Sequence, residues 1–170
     1  MPITADASIT LFLRALTSLQ KILSKAEAQA AERGISVPEL LDARLGPAAP
    51  DMLTLASQVH WVAEGAKRTF ERLLGAPSVT TNDDAKTFAE LHERIAAAIA
   101  YVQESSPSDV EAGLSRTIEI EHPRGNMTFT GDRFLSELSI PHLYFHLTCA
   151  YAILRTRGIE LRMGDLLGFS

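Results

Sequence analysis

A single cysteine in 170 residues, Cys149, excludes an internal disulfide and fits a reducing compartment. Aromatic residues are sparse, with one tryptophan in the chain, and the 16 Lys and Arg are scattered and outnumbered by 21 Asp and Glu, for a net charge of −5. Without a basic stripe interleaved with aromatics, nucleic acid is not an expected partner. No apolar run approaches the ~18 residues of a membrane span, so no membrane partner is expected. The first residues lack the charged, apolar and small-residue order of a signal peptide. A Gly-rich phosphate loop, a CxxC pair and a Ser/His/Asp signature are also missing. These absences leave a soluble, cytoplasmic protein whose length suits one domain spanning residues 1–170.

What is present is helical periodicity. Phe12, Leu16, Leu19 and Leu23 recur at 3–4 spacing and predict a first helix over residues 5–33, stopped by Gly34. Ser36-Val-Pro-Glu39 reads as a capping box opening a short helix to Ala43, and Gly46-Pro-Ala-Ala-Pro50 as a breaker loop. A second long helix is expected over 51–74, with Gly75 as its stop. A third follows the polar linker at 78–83 and runs to Val102, before a polar connector over 103–114. The period then changes. Ile118 and Ile120 alternate with Glu119 and Glu121, and Met127 and Phe129 with Asn126 and Thr128, so His122-Pro-Arg-Gly125 is the expected turn of a β-hairpin. A fourth long helix is predicted over 131–157, kinked near Pro141, with a tail from Ile159 packing back on the bundle. Four long helices and a hairpin make an all-α, up-down-up-down four-helix bundle with a small β insertion before the last long helix.

Three histidines carry the chemistry. His142 and His146 stand four residues apart and share one helix face. The helix around them is apolar on nearly every side, as buried helices are, so both rings need partners. His60 lies in the second helix, about 90° from the centre of its apolar stripe. If helices two and four run parallel, His60, His142 and His146 lie at depths of roughly 14, 17 and 23 Å, at 1.5 Å per residue. A shared layer is then possible, and three neutral imidazoles with one open position suit a divalent ion. The other reading has His142 and His146 as core histidines satisfied by ordinary hydrogen bonds. Glu64, one turn after His60, is the candidate for proton transfer or for orienting a ligand; a solvated flank glutamate is its plainer reading. Cys149 follows His146 on the same face as a small hydrophobe or soft ligand. His92 and His122 read as surface residues, and Trp61, Tyr101, Tyr144 and Tyr151 as packing groups able to line a pocket.

Several strings resemble one family. Phe129-Thr-Gly131, Pro141-His-Leu-Tyr-Phe-His146, Ala150-Tyr-Ala-Ile-Leu-Arg155, Gly158-Ile-Glu-Leu161 and Asp165-Leu-Leu-Gly168, with Ala43-Arg-Leu45 and Ala49-Pro-Asp-Met52, look like an uncharacterised branch of the DinB-like superfamily over essentially the whole chain. The resemblance implies a DinB-like four-helix bundle, often a homodimer. It also implies a divalent zinc, nickel or iron ion held by the positions matching His60, His142 and His146. Relatives of this kind include thiol-dependent transferases and isomerases and metal-dependent hydrolases acting on small molecules. The leading expectation is therefore a metal-dependent small-molecule enzyme with Glu64 near the metal. Its rival is a metal-free small-molecule-binding protein, or metal-independent isomerase, with His142 and His146 lining the bundle pocket.

Overall fold

The computed structural model describes residues 3–47, 52–121 and 125–169. Helix α1 (Ala5–Arg33) starts at Thr4, whose hydroxyl accepts from the Ala7 amide, and ends at Gly34 with φ 65°. The short α2 (Val37–Leu41) is capped by Ser36. Helix α3 (Leu55–Leu74) begins one turn later than the expected 51, because Thr54 supplies the cap by accepting from the Ser57 amide. His60 thus lies nearer the start of its helix than the depth estimate assumed. Helix α4 (Phe88–Glu104) opens on a capping box between Thr87 and Glu90.

The connector over 103–114 is a correction. It contains helix α5 (Pro107–Gly113), started by Ser106 as cap and Pro107 in the first turn. Strands β1 (Thr117–Ile120) and β2 (Met127–Thr130) pair antiparallel with Ile118 opposite Phe129. The turn at 122–125, including His122, lies mostly outside the described residues, as does most of the 46–50 loop. A single turn α6 (Gly131–Arg133) leads through a π-helical run, Phe134–Ser139, into α7 (Ile140–Thr156). The break expected from Pro141 takes this form: the Ile140 amide bonds to the Leu135 carbonyl five residues back, and proline, which has no amide to donate, sits in the first turn of α7. The tail folds back on α1 through Ile159, Leu161 and α8 (Met163–Leu167), fastened by Lys25 to Asp165.

Helix α3 packs between α4 and α7, and α1 closes the bundle against α4. Phe12 of α1 meets Phe70 of α3 edge to face at 5.4 Å, and both are fully buried. The hairpin is anchored to the end of α3 by backbone approach. The Gly131 amide bonds to the Arg116 carbonyl and the Asp132 amide to the Leu114 carbonyl, each at 2.9 Å. Gly113 lies so close to the Leu73 carbonyl that a Cβ would stand 2.2 Å from that oxygen. This anchoring places β1 and β2 beside the half-buried face of α3, and a cavity opens between them. Among the described residues, no helix is long and apolar enough to cross a membrane.

Candidate small-molecule site

The histidine pair behaves as the i, i+4 spacing implies. His142 and His146 meet at 3.1 Å between their Nε2 atoms, and His146 Nδ1 lies 2.7 Å from Gln58 Oε1 on α3. Gln58 is 2% exposed and His146 8%, so this contact is sheltered from water. With the Gln58 oxygen as acceptor, His146 carries its proton on Nδ1 and accepts at Nε2 from the His142 Nε2–H. The chain of bonds leaves His142 Nδ1 with a free lone pair. That atom lies over Gly65, where a Cβ would come within 3.1 Å of it. Both rings are neutral: burial, and then His142, hold His146 down to about 4, while burial, followed by Arg68 and Arg72, lowers His142.

His60 goes elsewhere. It is buried, not at the flank, and faces α4, where Arg94 donates to its Nδ1 at 2.8 Å. The same guanidinium binds the Asn82 carbonyl and the Asp84 carboxylate, tying down the linker before α4. Burial is the main cause that lowers the His60 pKa, Asp83 opposing and Arg94 assisting. Glu64 shares this side: its carboxylate accepts from the Thr81 hydroxyl at 2.8 Å and is buried. Trp61 stands next to His60 in sequence and faces the pair on α7, with its ring 6.2 Å from His142 and 6.4 Å from His146. The structure thus joins His142 with His146 and sets His60 with Glu64 against α4. Among the described residues, no group of three His, Cys, Asp or Glu is spaced to hold a metal ion. The three-histidine arrangement implied by the resemblance does not fit this geometry. Cys149 is partly buried, and burial raises its pKa. His92 pairs with Glu27 at 3.5 Å near the surface.

His142 borders a cavity of about 330 Å³ between α3, the hairpin and the π-helical run, a size suited to a small ligand. Its floor is the α3 stripe Trp61, Gly65, Arg68 and Arg72, at helical spacings of four, three and four. Ile120, Met127, Phe134 and Leu138 make the other side apolar. The arginines, Gln58, Gly65 and Ser139 were not singled out from sequence. The stripe itself was legible, since it repeats on the face opposite the apolar one.

Fold and site together define a class: a DinB-like helical bundle with a hairpin before its last long helix. A crystal structure of a DinB family member protein from Shewanella denitrificans shares the fold with a TM-score of 0.83 and 38% identity, over 96% of this chain and 91% of that one. The chain belongs to the family described as a domain of unknown function (DUF1993), which it matches over residues 5–167. Among curated proteins there is no match.

Proposed function

We infer that this protein binds a small molecule in the cavity between α3 and the hairpin, with the neutral His142–His146 pair as its polar wall and without a three-histidine metal. One observation carries the reading: the hydrogen-bond chain from Gln58 through His146 uses every other ring nitrogen and leaves His142 Nδ1 unspent beside the cavity. Buried polar networks in which each member is satisfied hold their groups in one orientation. The apolar side contributed by the hairpin would shelter the body of a ligand while His142 accepts a hydrogen bond from it.

A second reading has its own support. Two Nε2 atoms 3.1 Å apart, one ring oriented by Gln58 through Nδ1, resemble the way metal-bound imidazoles are held. The pair nevertheless supplies two ligands where a catalytic zinc site takes three from the protein, and His60 is engaged by Arg94.

Metal analysis of untagged protein, with thermal denaturation in the presence and absence of chelator, separates the two. The metal-free reading expects substoichiometric metal and an unchanged Tm. Stoichiometric divalent metal that disappears in His142→Ala would overturn it.

A further inference from the structure

Resting on that small-molecule reading, we propose that the cavity is built for an anionic ligand: a carboxylate or phosphate head held by Arg68, Arg72 and Ser139, with an apolar body against the hairpin side. Two buried polar atoms point to it. The Arg68 Nε and the Ser139 Oγ have no hydrogen-bond partner, and both residues line the cavity. Ser139 is 6% exposed, so bulk water does not readily satisfy it. Leaving such groups unpaired is costly, and a site that keeps two of them has a use for them.

The charges agree. Among the described residues, neither Arg68 nor Arg72 forms an ion pair, whereas the neighbouring buried Glu71 is taken by Lys67 at 3.1 Å and by Ser78 at 2.8 Å. Glu71 acts on Arg72 through its charge but is bonded to Lys67 and Ser78 and makes no ion pair with either arginine. Arg72 lies over the Phe134 ring at 5.7 Å, a cation–π contact that holds its guanidinium at the wall. Among the described residues, Glu121 is the one carboxylate bordering the cavity, and it is exposed just after β1. Among the described residues the balance is two cations to one anion, with the anion exposed. A planar guanidinium presents paired donors matched to carboxylate or phosphate oxygens, and the Ser139 hydroxyl adds a further donor; the His142 Nδ1 lone pair, an acceptor, is left for a donor group elsewhere on the ligand. Ile120, Met127 and Leu138 give the remainder of the ligand an apolar surface.

Trp61 is the chain's one tryptophan and borders the cavity, so its fluorescence reports on this site. Titration with hexanoate, hexyl phosphate and the neutral control hexanamide tests the proposal. At least one anion is expected to bind about tenfold or more tighter than the amide, and which of the two binds tighter identifies the head group. Arg68→Gln and Arg72→Gln are each expected to remove that preference, and Ser139→Ala to reduce it severalfold. Arg68→Gln is further expected to leave Tm undiminished, since the buried donor it removes is unsatisfied in the free protein; Arg72→Lys serves as the milder variant if Arg72→Gln does not fold. Equal binding of acid and amide, or an anion preference that survives Arg68→Gln, would overturn the anion site and leave the small-molecule pocket standing. If none of the three probes perturbs Trp61, both readings fall.

Discussion

Gly65 on α3 lies directly beneath the His142 ring of α7: a methyl group there would stand 3.1 Å from both Cε1 and Nδ1. Glycine inside a helix normally costs about 1 kcal/mol relative to alanine, so its presence mid-helix asks for a reason. Here the reason is room for an imidazole. Gly65→Ala should therefore forfeit the usual gain in stability and push His142 off His146. Thermal denaturation and imidazole nitrogen NMR would read both effects. A variant more stable by that full amount, with unchanged histidine signals, would show that the ring does not need the space.

His146 makes stability depend on pH in a defined window. In the unfolded chain this ring takes up its proton near 6.5; in the fold it does so at about 4. Between those values the unfolded state carries the extra proton, so stability falls as pH drops from 6.5 towards 4 and is fully present above 6.5. At 1.36 kcal/mol per pKa unit the loss is about 3 kcal/mol. His60 and His142 are lowered too and act in the same direction. Glu90 and Glu137, lowered from 4.5, and Asp132, lowered from 3.8, lose their contributions as pH falls below those values, at the acid end of the histidine window and beyond it. Urea denaturation at several pH values would measure the slope, and His146→Gln should remove its largest share. A flat profile above pH 4.5 would mean that the histidines are solvated.

How far the sequence could be read follows from how local each signal is. Helix ends such as Gly34, Gly75 and the Ser36 cap are visible because a cap involves residues three or four apart. Helix α5 escaped because it buries only Val110 and Gly113, too few to display a period. The His142–His146 contact follows from spacing within one helix. The destination of His60 does not. Consecutive residues differ by 100° around a helix, so whether residue 60 or 61 faces α7 depends on how α3 is rotated between its neighbours. That rotation is a property of the packed bundle: Trp61 took the α7 side, and His60 took Arg94.

Arg94 is the tie that keeps His60 away from the pair. It spans the Asn82 carbonyl, the Asp84 carboxylate and the His60 ring. Arg94→Ala should loosen the linker over residues 76–87, seen as faster amide exchange and earlier proteolysis there, and cost about 1.5–3 kcal/mol if one charged hydrogen bond dominates. The His60 pKa should rise, because a cation that lowers it is gone while Asp83 and Glu64 remain. Unaltered exchange in the linker would show that it is held by other contacts.

Gly113 fixes the hairpin, and with it one side of the cavity, to the end of α3. A Cβ at this position would lie 2.2 Å from the Leu73 carbonyl oxygen and 2.8 Å from its carbon, both backbone atoms with no rotamer to move. Gly131 repeats the arrangement one layer out, with a Cβ 2.1 Å from the Gly113 oxygen. Gly113→Ala must therefore separate α5 from α3 instead of displacing a side chain. A loss of about 3 kcal/mol or more is expected, at the upper end of overpacking effects. Because β1 follows α5 directly, the cavity should widen as the hairpin shifts. Trp61 emission should then move to the red, and binding of the anionic probes should weaken even at temperatures where the variant is folded. A Gly113→Ala protein with wild-type Tm and wild-type emission would show that α5 is free to move without carrying the hairpin.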